Sequence, residues 1–357
     1  MKAAAKGTRL IVGHKTIAAV LAALALVCAC AGHPPRQAAK PVKGKASSQP
    51  AAGALGTTPA VRALGTTPAV GALGTYRAGE RHLTFFEPAH LGPAGQYLGQ
   101  RTLVTAIWYP LAQRSAGPAS GPFPLLMFAP GFLQCGASYS RLLQAWASAG
   151  YVVAVVNFPR TDCDAGAAAY EPDLVNQPAD VSYVLSRLLA LNAQPHDLFS
   201  GLLNPQEIAA AGQSDGGDTV AALAANTCCT DHRLAAVAVL SGAEWPPMPG
   251  RYFPHGVSGT PPMLFVQGSA DTINPPWTSL QLYRADRATA RYYLDLFGAS
   301  HMIPYVGTNP VERLVARVTL AFFDRYVLGQ AGALATMTRD GNVTGTATLV
   351  SGGRLPP

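Results

Sequence analysis

Short runs of consecutive apolar residues, bounded by Gly, Pro or polar residues, recur along the chain from residue 81 onward. After the first two runs the apolar residues are nearly continuous rather than alternating. Such runs are typical of strands that are covered on both faces in a parallel sheet. The strands predicted in this way span residues 81–86, 102–109, 123–129, 151–158, 207–212, 234–240, 262–267 and 291–297.

Longer segments with apolar residues at helical spacing separate these strands. Three of them begin near Pro178, Pro276 or Pro310, and the first turn of a helix tolerates proline. The alternation predicts a doubly wound, mostly parallel α/β sheet of about eight strands with helices on both faces. Ligands of such sheets bind at the carboxyl ends of the strands. The predicted helices span residues 138–150, 178–193, 215–226, 276–288 and 310–328.

The positive charge of the chain is confined to its N-terminal part. Residues 1–50 hold eight Lys or Arg and no Asp or Glu. The formal charge of the whole chain is +7, which leaves about −1 for residues 51–357. Because binding to nucleic acid needs a basic face on the folded domain, we expect no nucleic-acid partner.

Residues 1–30 have the features of an export signal. Four basic residues precede or flank the start of an apolar stretch at 16–27, whose 12 residues are too few to span about 30 Å of hydrocarbon as a helix. The letters VCAC at 27–30 resemble a bacterial lipobox, although Cys28 replaces its usual small residue. We therefore expect lipidation of Cys30 and anchoring to the outer face of a bacterial membrane, with ordinary cleavage and secretion as the alternative.

Residues 31–79 are rich in Pro, Ala and Gly and predict a tether. Within it, residues 54–75 contain two and a half copies of a nine-residue repeat that begins ALGT, too few to form a solenoid. The remaining sequence predicts one folded, catalytic domain over residues 80–330, followed by a C-terminal tail over residues 331–357.

The string GQSDG at residues 212–216 fits G-x-S-x-G, the strand-to-helix turn that exposes a nucleophilic serine. With 36 glycines in 357 residues, the string alone is a weak signal. However, Ser214 lies directly between a predicted strand and a predicted helix, which is the context that the motif requires. Ser214 is therefore the predicted nucleophile.

A serine nucleophile needs a base to accept its proton and an acid to orient that base. In this fold their order along the chain is Ser, acid, His, and each follows the end of a strand. Asp271 and His301 lie four residues beyond the predicted strands that end at 267 and 297, so they are the predicted acid and base. Asp286 and Asp295 are weaker candidates, because one lies in a predicted helix and the other in a predicted strand.

An acyl-transfer site also needs two N–H groups that stabilise an oxyanion. One is expected from Asp215, the residue after the nucleophile, at the N-terminus of a helix. The loop after the strand 123–129 offers Gly131 and Phe132 for the other, and Phe132 is the predicted donor.

Four segments in chain order, FAPGFLQCGASYSRLLQAWASAGYVVAVVNFP, GQSDGG, GSADTINPP and FGASHMIP, resemble the α/β-hydrolase branch that contains bacterial cutinase-like polyester hydrolases. Plant chlorophyllases and platelet-activating-factor acetylhydrolases are similar too, and the resemblance covers about residues 81–328. It implies an esterase without a metal or organic cofactor, in which Phe132 also lines the substrate cleft and Trp245 contributes to it. Asp215 and Gln213 depart from the branch, which often has an apolar residue and His or Trp there.

Cysteines Cys135, Cys163, Cys228 and Cys229 remain in the predicted domain, and four cysteines allow three pairings. Cys135 and Cys163 follow neighbouring predicted strands, so a bridge between them is the favoured pairing. A zinc site at Cys228, Cys229 and His232 is disfavoured, since adjacent cysteines are poorly spaced for tetrahedral ligation.

The sequence therefore predicts a monomeric serine esterase or lipase that acts on a small-molecule or lipid ester. Two alternatives stay open. One is peptidase or thioesterase chemistry on the same triad, and the other is a hydrolase-fold protein that only binds its ligand. Residues 159–177 are candidates for a lid or pocket rim, but no periodicity predicts their shape.

The lipobox-like letters give a first test. Replacing Cys30 by Ala should release the protein into the medium or leave its signal uncleaved, because the acylated thiol is lost. Mass spectrometry of the mature N-terminus measures this. A wild-type N-terminus well beyond residue 31 without an acyl mass would contradict the lipid anchor.

Overall fold

Strands of the expected apolar type assemble into one nine-stranded sheet in the computed structural model, which describes residues 73–92, 95–112, 117–254, 259–288 and 290–352. These residues belong to one unit, Thr67–Pro357. The predicted signal peptide, Cys30 and residues 31–72 of the predicted tether lie outside the described residues. Within the described part, no helix has the length and apolar character needed to cross a lipid bilayer.

The elements alternate between strand and helix over most of the domain. Three short 3₁₀ helices, Gly136–Tyr139, Gly166–Ala168 and Glu171–Asn176, lie in loops. The main elements in chain order are β1 Arg77–Glu87, β2 His90–Leu91, β3 Tyr97–Leu98, β4 Arg101–Leu111, β5 Phe123–Ala129, α1 Ser140–Ser148, β6 Val152–Asn157, α2 Gln177–Asn192, β7 Leu203–Gln213, α3 Asp215–Ala225, β8 Ala236–Leu240, β9 Met263–Gly268, α4 Pro276–Ala285, β10 Arg291–Leu296, α5 Pro310–Tyr326, α6 Ala333–Gly341 and β11 Ala347–Ser351.

The strand order of the large sheet is β1-β4-β6-β5-β7-β8-β9-β10-β11. Six adjacent strands are mutually parallel, namely β6, β5, β7, β8, β9 and β10. The strands at the two edges, β1 and β4 on one side and β11 on the other, pair antiparallel. Each of the eight predicted strands is present, and the predicted mixed α/β sheet with helices on both faces is confirmed. The carboxyl ends of the parallel strands share one edge.

Both faces of the sheet are covered because alternate side chains of each central strand point to opposite sides. In β5, Leu125 and Met127 pack with residues of α2, α3 and α4. Leu126 and Phe128 pack instead with residues of α1, α5 and α6. All seven residues of β5 are buried, which explains why its sequence is apolar throughout rather than alternating.

The C-terminal boundary of the domain differs from the prediction. Residues 331–357 were expected to form a tail, but they supply helix α6 and strand β11, which pairs antiparallel with β10. Similarly, β1 begins at Arg77 rather than after residue 80. The short, half-buried β11 has no continuous apolar run, because an edge strand needs only one buried face.

The segment 159–177 is fixed to the domain by a buried ion pair and by helical turns. The guanidinium of Arg101, on β4, donates to Asp173 at 2.8 Å and to Asp180 at 2.6 Å. All three side chains are buried. Removing one partner of such a buried pair costs about 3–5 kcal/mol, because the other charge is left uncompensated.

Helix α6 gives a test of the corrected boundary. Met337 is fully buried against the sheet and α5, so its replacement by Ala should destabilise the domain by about 2–5 kcal/mol. Replacing the neighbouring exposed Thr338 by Ala is the matched control and should change stability by less than about 0.5 kcal/mol. Denaturant unfolding measures both. Equal stabilities of the two variants would contradict the inclusion of α6 in the domain.

Candidate active site

Ser214 lies on a sharp turn between β7 and α3, with φ 56° and ψ −124°. This conformation is rare for residues other than glycine, and it lifts the side chain out of both flanking elements. Gly212 and Gly216 make the turn possible. A Cβ on Gly212 would overlap the carbonyl oxygen of Gly216, and a Cβ on Gly216 would overlap that of Ala129. Ser214 itself stays half-exposed.

The loops after β9 and β10 bring Asp271 and His301 to this serine. The Nε2 atom of His301 lies 2.9 Å from the Oγ atom of Ser214, and its Nδ1 atom lies 2.7 Å from Oδ2 of Asp271. Asp271 and His301 are buried. The three residues thus form a continuous hydrogen-bonded chain, with the imidazole placed to accept the serine proton.

The carboxyl group of Asp271 is held by several donors. The backbone N–H groups of Ile273 and Asn274 donate to its Oδ1 at 2.9 and 3.0 Å, and the Gln267 amide donates to its Oδ2 at 3.0 Å. Burial alone would raise the pKa of Asp271, but His301 and the two backbone donors hold it below its usual value. Asp271 is therefore ionised and keeps a proton on Nδ1 of His301, which leaves Nε2 free to accept.

The two predicted oxyanion donors belong to segments that adjoin the serine turn. Asp215 is the first residue of α3, and the loop that carries Gly131 and Phe132 rests directly on the serine turn. A Cβ on Gly131 would lie 3.1 Å from the Cβ atom of Ser214, so only glycine allows this approach. Within the described part of the chain, no protein acceptor is recorded for the N–H of Phe132. This N–H is therefore available to a substrate oxygen.

A family model described as Chlorophyllase matches residues 112–250. The family is related to the α/β hydrolases, in agreement with the observed fold, and the match supports a serine hydrolase of that type. The matched span contains Phe132, Ser214 and Trp245 and ends before Asp271 and His301. No curated protein matches the chain. The assignment of the acid and the base therefore rests on their place in the sequence and on the geometry, not on the family match.

Trp245, the residue expected in the substrate cleft, lies on the loop after β8. It is half-buried, packs beside Met248 and Tyr252, and lines a cavity of about 530 Å³ with them. No contact between Trp245 and the triad is recorded within the described residues. Its role toward substrate stays a prediction.

The four cysteines among the described residues form two disulfides. Cys135 and Cys163 are bonded, as expected, with a Cα–Cα separation of 5.3 Å. Cys228 and Cys229 are bonded to each other, a pairing that the sequence left open. In the part of the chain that the structure describes, the group of metal-ligand side chains that lie together is Cys135, Cys163 and Asp164, and its two sulfur atoms are already bonded.

Two buried polar side chains lie behind the triad. Tyr139 belongs to no motif, and nothing in the sequence marks it, since it is one aromatic residue in a predicted helix. Gln213 stood out only as a departure from the resembled branch. The Tyr139 hydroxyl donates to Oε1 of Gln213 at 2.7 Å, and Nε2 of Gln213 lies 3.2 Å from Nε2 of His301.

Asp215 raises a chemical question, because a carboxylate beside an oxyanion opposes the charge that develops there. The side chain is buried, and its Oδ2 atom has no hydrogen-bond partner among the described residues. Burial raises the pKa of Asp215 to about 8, the nearby Glu171 adds to the rise, and its own backbone N–H opposes it. The group is therefore neutral below about pH 8 and does not oppose an oxyanion there.

This assignment predicts a loss of activity at alkaline pH. As the pH rises through about 8, ionised Asp215 should oppose the oxyanion, so kcat/KM of the wild type should fall, whereas Asp215→Asn should keep its activity. Pre-steady-state or steady-state ester turnover between about pH 6 and 10 measures this.

The same ionisation affects stability. The pKa of Asp215 is raised from its ordinary 3.8 to about 8 in the folded protein. The contribution of neutral Asp215 to the free energy of unfolding is therefore complete below pH 3.8 and is lost as the pH rises through about 8. The melting temperature of Asp215→Asn should therefore rise relative to wild type over this range. Asp164→Asn, which removes an exposed carboxylate, is the control. Parallel pH profiles of all three proteins would contradict the assignment.

Proposed function

We propose that the protein is a serine esterase that cleaves carboxylic esters through an acyl-enzyme. The observation that carries this proposal is the hydrogen-bonded chain from Ser214 through His301 to Asp271, built at the carboxyl ends of three parallel strands. The distance from Oγ of Ser214 to Nε2 of His301 is 2.9 Å, and that from Nδ1 of His301 to Oδ2 of Asp271 is 2.7 Å. Both suit proton transfer without rearrangement.

In the proposed mechanism, Oγ of Ser214 attacks the ester carbonyl while Nε2 of His301 accepts its proton. Asp271 stabilises the resulting imidazolium, and the N–H groups of Phe132 and Asp215 stabilise the oxyanion. The imidazolium then protonates the leaving alcohol. Water, activated by the same imidazole, releases the acid from the acyl-enzyme.

Exposed apolar side chains on the loops that carry the acid and the base favour a substrate with an apolar part. Ile273 follows Asp271, Ile303 follows His301, and Trp277 lies in the first turn of α4, and they are 43%, 50% and 63% exposed. Together with half-buried Phe132, they offer a nonpolar surface to an acyl chain or an apolar alcohol. A lipid or polyester substrate, as in the branch that the sequence resembles, belongs to this proposal.

We also propose that the enzyme works at the outer face of a bacterial membrane, held by a lipid on Cys30 and a tether before β1. The lipobox-like letters at 27–30 support the anchor. The two disulfides support export, because such bonds persist in oxidising compartments. Peptidase or thioesterase chemistry remains the alternative, since the same triad performs both.

Covalent labelling tests the nucleophile. A fluorophosphonate should modify Ser214 and no other serine, as mapped by mass spectrometry of peptides, and Ser214→Ala should lose turnover by a factor on the order of 10⁶. Asp271→Asn should lose less, about 10⁴. Ser186→Ala, which changes an exposed serine on α2, should label and turn over like wild type. A label elsewhere, or full turnover by folded Ser214→Ala, would overturn the proposal.

The reaction class needs a separate comparison. The unmodified enzyme should hydrolyse ester, thioester and peptide substrates that share the same acyl group with a preference for the ester. A preference for peptides or thioesters by kcat/KM would replace the esterase by the alternative on the same triad.

A further inference from the structure

The side chains of Gln213 and Tyr139 link three of the four segments that make up the proposed site: the oxyanion loop, the serine turn and the loop of His301. Gln213 ends β7 directly before Ser214, and Tyr139 precedes α1 on the far side of the oxyanion loop. Both side chains are fully buried. Because neither side chain is accessible from outside, each can act on the reaction only through its neighbours.

One end of the link holds the oxyanion loop. The hydroxyl of Tyr139 accepts a hydrogen bond from the Gly131 N–H at 3.2 Å and donates one to Oε1 of Gln213 at 2.7 Å. Gly131 immediately precedes Phe132, whose N–H is the predicted oxyanion donor. The two hydrogen bonds of the Tyr139 hydroxyl therefore restrict the backbone next to that donor.

The other end of the link holds the imidazole. Nε2 of Gln213 lies 3.3 Å from the backbone oxygen of His301 and 3.2 Å from its ring Nε2 atom. The orientation of the amide follows from its partners. The reverse orientation would put the amide oxygen against the His301 carbonyl, and it would leave the Tyr139 hydroxyl facing two donors. The amide therefore presents N–H groups to His301.

We propose that Gln213, oriented by Tyr139, is a positioning residue that holds His301 and the oxyanion loop in register and disfavours the imidazolium form. The second effect follows from hydrogen-bond complementarity. The lone pair of neutral Nε2 accepts from the Ser214 hydroxyl at 2.9 Å, and the Gln213 amide N–H lies beside it at 3.2 Å. Once Nε2 carries a proton, that proton faces the amide N–H, and two donors oppose each other. The inference rests on the serine esterase proposed above.

Other ionisable groups around the ring do not replace this effect. Asp271 is the carboxylate hydrogen-bonded to His301, and it favours the imidazolium. Burial raises the pKa of Tyr139, and also that of Tyr305 on the loop after His301, so both phenols are neutral. Asp215, beside the nucleophile, ionises only near pH 8, on the alkaline side of the profile.

The test is steady-state ester hydrolysis by the full chain across pH, first with two variants. Gln213→Met keeps the volume and removes both hydrogen bonds, and it should lower kcat by about 10–100-fold with KM changed less than about threefold. The acid limb of the kcat/KM profile, where activity rises with pH, should move to higher pH, since the Gln213 N–H no longer opposes a proton on Nε2 of His301. Tyr139→Phe should move it in the same direction, because the released amide can turn its oxygen toward the ring.

Two further variants separate this role from a loss of stability. Gln213→Glu retains an acceptor for Tyr139 but replaces the donor by an acid group, so its acid limb should also move to higher pH even if Gln213→Met fails to fold. Tyr151→Phe removes an equally buried hydroxyl that donates to Asp324, on α5, at 2.9 Å and has no hydrogen bond to Gln213 or His301 among the described residues. It should lower the melting temperature and leave kcat and the acid limb unchanged.

A double-mutant cycle measures the link directly. The combined Tyr139→Phe, Gln213→Met variant should lose little more kcat than Gln213→Met alone, because both changes break the same chain of hydrogen bonds. Folded Gln213 variants with wild-type kcat and acid limb, or additive losses in the cycle, would overturn the positioning role. If wild type itself fails to react with fluorophosphonate at Ser214, the proposed function fails instead.

Discussion

The left-handed backbone at Ser214 is the constraint on which the rest of the site depends. A non-glycine residue in such a region costs about 1–3 kcal/mol, so the neighbours must hold it there. The Ser214 N–H donates to the Leu240 carbonyl at 2.9 Å, and its carbonyl accepts from Asp218 at 3.0 Å, so β8 and α3 fix the turn from both sides. The two glycines of the motif let β7, α3 and the end of β5 meet without overlap. The exposed hydroxyl is thus a consequence of close packing between three elements.

The acid is fixed by a different means, since Asp271 lies on a loop with ordinary backbone geometry. The Ser279 hydroxyl donates to Oε1 of Gln267 at 2.8 Å, which turns the Gln267 amide N–H toward Asp271. Asn274 donates from its side chain to the carbonyl of Ser241 at 2.7 Å and ties this loop to the end of β8. The buried side chains of Gln267, Asp271 and Ser279 all have hydrogen-bond partners, and such satisfied networks hold one arrangement in preference to others. His301 therefore hydrogen-bonds on one side to a serine held by a strained backbone and on the other side to a carboxylate held by hydrogen bonds.

The sequence predicted the sheet and the positions of Ser214, Asp271 and His301 because each depends on local signals: apolar runs, flanking glycines and distance from a strand end. It did not predict β11, since an edge strand with one buried face lacks a continuous apolar run. It also gave no signal for Tyr139, whose role comes from contacts with residues 8 and 74 positions away. The sequence could not predict the protonation of Asp215 for the same reason. Burial by segments distant in the chain raises its pKa to about 8, and residue type alone does not show burial. Contacts of long sequence separation are thus what the sequence pattern leaves undetermined.

The disulfide between Cys135 and Cys163 is the feature through which the proposed cellular location would affect the geometry of the site. It connects the loop that follows Phe132 with the segment 159–177, whose Asp173 is paired with Arg101 on β4. A bond across 28 residues stabilises a fold by about 3–4 kcal/mol, largely through the unfolded chain. In a reducing compartment this link between the oxyanion loop and the rim would be lost, although the triad itself contains no cysteine. The proposed export therefore bears on the segment 159–177 more than on the triad, and Glu171 of that segment contributes to the raised pKa of Asp215.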